Sequence, residues 1–258
     1  MLILSPARRQ RLDALRAEIR TIEAIGRAEE REYLPFGIAE IDQRLAGNGL
    51  AAAALHEVAG AASGLNDDAA ATLFTAGIAA RRAYDGRTVL WALRRHDLFA
   101  PALAQVGLPP RQTLYAECGR DEDVLAVMEE GLRHGGLAAV VGEVGRLTMA
   151  SARRLQLAAE EGGITALMLK RWRRSNEDPL VLPSAAVTRW RIACVPSQSL
   201  PVAGIGRPRW RIELARQRGG GPHQWIMEGS DAEGRLALPA EPLRRSAAAD
   251  RHEVRRAA

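Results

Sequence analysis

Residues 137–170 read LAAVVGEVGRLTMASARRLQLAAEEGGITALMLK, and their periodicity decides the fold. Residues 137–144 and 164–170 read as strands, and the near-continuous apolar runs within them, 137–141 and 164–169, are the pattern of strands buried on both faces. Between them, 148–161 spaces its apolar residues at helical intervals and stops at Gly162-Gly163. The same alternation continues upstream, with strands over 52–59, 87–93 and 112–116 and helices over 66–83, 97–106 and 121–134. Strands separated by helices are βαβ units, so the chain is predicted to be α/β, with a mainly parallel sheet flanked by helices. Beyond Lys170, residues 186–195, 207–216 and 222–228 read as strands without helices between them, which predicts an antiparallel C-terminal extension. Upstream, Leu12, Leu15, Ile19, Ile22 and Ile25 keep helical spacing until Pro35-Phe36-Gly37. The expected organisation is an N-terminal amphipathic helix within 1–33, an α/β domain over 34–230, and a loose, charged tail over 231–258.

The 258 residues are 47% hydrophobic and 26% charged, a soluble globular balance. No apolar run approaches the roughly 18 residues that span a bilayer, and no secretory leader opens the chain, so a cytoplasmic location without membrane contact is expected. Cys118 and Cys194 stand far apart without a CxxC spacing, and His56, His96, His134, His223 and His252 never fall at a helical metal-ligand spacing. No metal site is expected. Of the 36 basic residues only Lys170 is a lysine, and 47 residues are alanine, so arginine abundance alone carries little information. Its distribution carries more: residues 170–225 hold 11 basic and 3 acidic side chains, against 19 and 22 over residues 1–169.

The first strand-to-helix turn of a parallel sheet is where a nucleotide would be sought. Here it reads Glu57-Val-Ala-Gly60-Ala-Ala-Ser63-Gly64-Leu65-Asn66-Asp67-Asp68. Gly60, Ser63 and Gly64 approximate a phosphate loop, but Leu65 and Asn66 stand where lysine and serine or threonine are needed to neutralise the phosphates and hold magnesium. Two aspartates at a helix start suit capping rather than a triphosphate. The strand over 87–93 runs into Leu93-Arg-Arg-His-Asp97, and the strand before Gly142 ends in a lone Glu143. No GxSxG elbow occurs. No catalytic residues, cofactor or metal are therefore assigned.

Arg-Trp-Arg occurs three times, at 171–173, 189–191 and 209–211. In strands, side chains alternate, so buried tryptophans would turn their arginines outward, and three such strands together would make an arginine-studded face. The candidate DNA-contacting set is Lys170, Arg171, Trp172, Arg173, Arg174, Arg189, Arg191, Arg207, Arg209, Arg211, Arg216 and Arg218. Arginine pairs with phosphate oxygens, and outward-facing tryptophan would stack on unpaired bases.

Leu34-Pro-Phe-Gly-Ile-Ala-Glu-Ile-Asp42, followed by Leu45-Ala-Gly-Asn-Gly-Leu50, resembles the lead-in segment of RecA-type recombinases. Together with the phosphate loop lacking its lysine and with Thr188-Arg-Trp-Arg-Ile192, Pro208-Arg-Trp-Arg-Ile-Glu-Leu214 and Arg216-Gln-Arg-Gly-Gly-Gly221, residues 34–230 resemble the ImuA family of bacterial damage-inducible mutagenesis proteins. The resemblance implies a RecA-like core without ATPase activity. It implies an accessory, adaptor role in SOS-induced error-prone translesion synthesis, linking an ImuB-like Y-family polymerase homologue, RecA and single-stranded or damaged DNA. An error-prone replicative-type polymerase would be reached indirectly, and the protein would associate with the nucleoid during the damage response. In RecA-like folds the loops after the central strands face DNA, and here these are 171–184 and 196–208. Two alternatives stay open: a RecA-directed modulator without a polymerase partner, and a weak DNA-stimulated NTPase whose ATP binding would depend on Gly60 or Gly64.

Overall fold

A computed structural model describes residues 32–198 and 204–239. The helix expected within 1–33 and the tail beyond residue 239 lie outside the described residues. In chain order, β1 (Tyr33–Leu34) leads through α1 (Ala39–Asp42) and a 3₁₀ turn (Ala46–Asn48) to β2 (Leu50–Ala51), with which it forms an antiparallel ribbon. Then follow β3 (Leu55–Gly60), α2 (Leu65–Arg82), β4 (Val89–Leu93), α3 (Ala100–Gln105), β5 (Thr113–Glu117), α4 (Asp121–His134), β6 (Ala139–Val144), α5 (Met149–Gly162) and β7 (Thr165–Lys170). The last three strands are β8 (Thr188–Val195), β9 (Arg209–Gln217) and β10 (His223–Glu228).

The eight-stranded sheet has the order β10-β9-β8-β3-β7-β6-β4-β5. β8, β3, β7, β6, β4 and β5 run parallel, and β9 and β10 add the antiparallel extension. The α/β class with its C-terminal extension is as the periodicity predicts. One detail differs: the extension starts at β9, because residues 171–187 cross β3 as an irregular segment and return β8 parallel to it. A parallel return needs a long crossover, and this one is built without a helix.

Alternation along each strand sorts the core into two layers. Val58, Trp91, Val141, Leu167, Leu169, Trp190, Ile192, Trp210 and Ile212 pack beneath α2, α3 and the lead-in segment. Leu55, Leu90, Ala92, Val140, Val144, Ala166 and Met168 pack beneath α4 and α5. Strands sandwiched in this way have no solvated face, which is why 137–141 and 164–169 are nearly continuous apolar runs. For the same reason the polar residues within β6 and β7, Glu143, Thr165 and Lys170, are each buried beside a partner. In the first layer, Phe36, Phe74, Trp190 and Trp225 form a chain of rings with neighbouring centroids 5.7–6.3 Å apart. Such pairs contribute about 0.5–1.5 kcal/mol each beyond area burial. After β10, Ala237 bridges Glu228 and Leu236 is buried against the same layer.

Candidate functional site

β3 ends at Gly60, and the chain turns through 61–64 into α2. A side chain at Gly60 would bring its Cβ to 3.0 Å from the carbonyl carbon of Asp67, so the loop packs closely on the start of the helix and a larger residue would have to push that backbone back by a few tenths of an ångström. The loop's anion is its own. Asp67 Oδ2 accepts the N–H of Ala62 at 3.0 Å, and Oδ1 accepts the N–H of Cys194 at 2.8 Å, tying the loop to the end of β8. Ala61 N–H donates to the Ile192 carbonyl at 2.9 Å. Ser63, Gly64, Leu65 and Asn66 are exposed, and Leu65, in the lysine position, is 88% exposed.

Arg171, one residue past β7, fills the crevice beside this loop. Its Nη2 lies 2.8 Å from Glu143 Oε2, and its Nη1 donates to Thr72 Oγ1 at 2.9 Å and to the Asp68 carbonyl at 3.3 Å. Glu143 also accepts from Trp91 Nε1 at 2.7 Å. Trp172 Nε1 donates to the Gly60 carbonyl at 2.9 Å. Burial pushes the Asp68 carboxyl above its ordinary range, with Arg171 and Arg95 pulling it back. The strand-end carboxylate Glu143 thus serves as an acceptor for an indole and a guanidinium.

A second ionic cluster lies under the crossover segment. Glu57 is fully buried, with Arg189 Nε 2.8 Å and Lys170 Nζ 4.0 Å from its Oε2. Burial lowers the Lys170 ammonium's pKa, with Glu57 opposing. Arg189 also donates to the Leu182 carbonyl at 2.9 Å. Arg191 bonds Asp178 at 2.5 Å and Glu213 at 3.1 Å, Arg216 donates to Ser184 O at 3.0 Å, and Arg218 donates to Ala185 O at 3.2 Å. These arginines strap residues 178–186 onto the sheet, satisfying carbonyls that have no secondary-structure partner.

The candidate DNA set is therefore divided. Lys170 and Arg189 are buried and paired, which removes them from any surface a polyanion could reach. Arg171 is half-buried on Glu143, and Arg207 is ion-paired at 3.5 Å to Glu228 and 3.9 Å to Asp231. Arg209 is half-buried, while Arg173, Arg174, Arg211, Arg216 and Arg218 are exposed. Trp190 and Trp210 point inward with their arginines on the opposite face, as alternation requires. The third tripeptide, 171–173, lies past the end of β7, so two arginine strands stand side by side instead of three. Asp67, Thr72, Trp91 and Asp178 complete these clusters without having been singled out from sequence; only the acidic pair at the start of α2 hinted at the first.

Fold and site together define an α/β protein whose first strand-to-helix turn is tied down by its own side chains, Asp67 on the amides of Ala62 and Cys194 and Arg171 on Glu143 beside it. No family model matches the chain. It is 38% identical over 210 residues to Protein ImuA of Caulobacter vibrioides, both in strain NA1000 / CB15N and in strain ATCC 19089 / CIP 103742 / CB 15; the match covers 77% of this chain and 84% of each relative. The chain belongs to the ImuA family, which is associated with damage-inducible mutagenesis. Among the described residues no helix is long and apolar enough to cross a membrane.

Proposed function

We propose that the chain is a non-catalytic accessory protein of error-prone lesion synthesis, an adaptor linking an ImuB-like polymerase homologue, RecA and DNA. The observation that carries this reading is the occupied crevice. Asp67 holds the loop amide of Ala62, and Arg171 and Glu143 neutralise each other where a nucleotide's charge would need partners. A nucleotide would have to displace both, without a lysine to receive it. What remains is a rigid RecA-like frame that works through its surfaces. The exposed arginines Arg173 and Arg174 beyond β7 support DNA contact, with the error-prone replicative-type polymerase reached through the ImuB-like partner. The protein would act in the cytoplasm, on the nucleoid after damage.

The test is co-expression of the tagged chain with the ImuB-like protein of the same genome and purification at about 300 mM salt, which screens most charge-only association. A stoichiometric complex is expected, with no saturable ATP binding. Failure to form it, together with suppression of RecA strand exchange, would replace the adaptor reading with that of a RecA-directed modulator.

A further inference from the structure

β7, β6 and β4 are neighbours in the sheet, and the connection leaving the carboxyl end of each carries an exposed arginine: Arg173 and Arg174, Arg146, and Arg95 respectively. Strands stand about 4.8 Å apart, so these loops lie side by side. Asp121 ties two of them together. Its Oδ1 accepts from Arg94 Nη1 at 2.7 Å in the β4 loop, and its Oδ2 accepts from the N–H of Gly145 at 3.1 Å and of Arg146 at 3.2 Å in the β6 loop. The third joins through packing, because the Arg173 side chain covers Gly145, where an added Cβ would lie 2.8 Å from Arg173 Cγ.

The rim arginines are weakly neutralised. Among the described residues no carboxylate lies within ion-pair distance of Arg146 or Arg173. Arg95 has Asp97 at 3.8 Å and Arg174 has Glu177 at 3.2 Å, both exposed pairs of the kind that contribute little. On the β8–β9 side Arg191 is held by Asp178 and Glu213 and Arg207 by Glu228, while Arg209, Arg211 and Arg216 have no carboxylate within ion-pair distance among the described residues, which makes Arg209 and Arg211 the competing surface for the test. Apolar surface adjoins the rim: Leu65 at the start of α2 is 88% exposed, and half-buried Trp172 precedes Arg173.

We propose that this carboxyl-end rim, Arg95, Arg146, Arg173 and Arg174, binds the phosphodiester backbone of single-stranded nucleic acid, with Leu65 and Trp172 against unpaired bases. The ligand class rests on the DNA contact proposed above; the site, with Arg95 and Arg146 in it and the β8–β9 face left out, does not. A single strand is favoured over a duplex because it offers unpaired bases to the apolar residues as well as phosphates to the arginines.

The test is fluorescence anisotropy of the full chain with a labelled oligothymidylate of about 30 nucleotides, at about 50 and 200 mM salt. The triple variant Arg95→Ala/Arg146→Ala/Arg173→Ala is expected to bind at least about tenfold more weakly at low salt, and to lower the slope of log K against log salt by about 2. Leu65→Ser should weaken binding without changing that slope. Arg209→Ala/Arg211→Ala should bind like the wild type. All these positions except Arg209 are exposed, and matching thermal melts would confirm folding. A triple variant that binds like wild type overturns the rim. If the Arg209/Arg211 variant alone loses affinity, DNA contact stands and the rim falls. A wild type that ignores the oligonucleotide yet co-purifies with the ImuB-like protein ends both the rim and DNA contact while the adaptor reading survives. Equal binding of a duplex, or displacement of the oligonucleotide by inorganic polyphosphate or polyglutamate at equal charge, overturns the single-strand assignment.

Discussion

The Arg171 guanidinium meets the Glu143 carboxylate across neighbouring strand ends, with Nη2 2.8 Å and Nε 2.9 Å from Oε2. The Glu143 side chain is 5% exposed, so removing Arg171 leaves a nearly buried carboxylate whose remaining partner among the described residues is the Trp91 indole. Arg171→Ala is expected to cost about 2–4 kcal/mol, read as a lower urea midpoint at unchanged m-value. Glu143→Gln should cost less, because it keeps an acceptor for Trp91 and Arg171 retains Thr72 and the Asp68 carbonyl. The double variant should then be less destabilised than the two singles combined; strict additivity would show that the pair is not coupled.

Asp67 accepts two backbone N–H groups that would otherwise lack partners, one in its own loop and one on β8. Asp67→Ala is expected to cost about 1–2 kcal/mol, the usual loss for a capping carboxylate. The local signature is faster hydrogen exchange at the amides of Ala62 and Cys194, with the strand amides of β6 unchanged. Unaltered exchange at Cys194 would show that Asp67 does not hold the loop to β8.

How far these sites were readable in sequence depended on how far apart their partners lie. Period-two alternation put Trp190 and Trp210 on the face opposite their flanking arginines, because it is a local property of a strand, but which of the two faces is the inner one was left open. The apolar runs that became β6 and β7 were equally local. The burial of Lys170 and Arg189 was not readable: a charged residue at a strand end looks solvated until Glu57, 132 positions from Arg189, is brought beside it by the β3–β8 pairing. That pairing depends on 171–187 crossing β3, an irregular stretch with no periodicity to read. The missing lysine of the phosphate loop was visible at once. The tie that Asp67 makes across the loop was half visible, since Ala62 lies five residues away and Cys194 lies 127 away.

His56 gives the fold a pH dependence. Burial lowers its pKa to about 4 from an ordinary 6.5, the Ala51 carbonyl partly opposing. The neutral ring fits its surroundings: Nε2–H donates to Ala51 O at 2.9 Å, and Nδ1, 2.7 Å from Thr188 Oγ1, accepts the hydroxyl proton. That hydroxyl in turn accepts from Trp190 Nε1 at 2.7 Å, so a second ring proton would face an oxygen whose own proton has nowhere to go. The unfolded chain binds a proton below about pH 6.5 that the folded chain refuses until about pH 4. This contribution is therefore complete above pH 6.5, falls by about 3 kcal/mol on the way to pH 4, and is flat below. Asp68, raised by burial, acts in the opposite sense, stabilising at low pH and losing that contribution as pH rises through its folded pKa. Urea midpoints from pH 4 to 7 should slope upward for the wild type and flatten in His56→Gln; an unchanged slope would assign the dependence to other groups.

The Leu34–Asp42 phrase owes its form to Asp42. Its Oδ1 accepts the N–H of Phe36 at 2.6 Å, and its Oδ2 accepts those of Gly37 at 2.9 Å and Ile38 at 3.2 Å. Gly37 has φ +77°, which a side chain would resist, and the bend it makes turns Phe36 inward onto Phe74 and Trp190. Arg81 lies over the Phe36 ring at 5.7 Å and donates to the Pro35 carbonyl. Asp42→Ala strands three donors at once and should cost about 2–3 kcal/mol, while Asp42→Asn, with one carbonyl oxygen, should recover roughly half. Because Phe36 touches Trp190, the loss should also shift tryptophan emission in the folded state. A stable Asp42→Ala variant with native emission would show that packing of Phe36 alone, without the carboxylate, sets this bend.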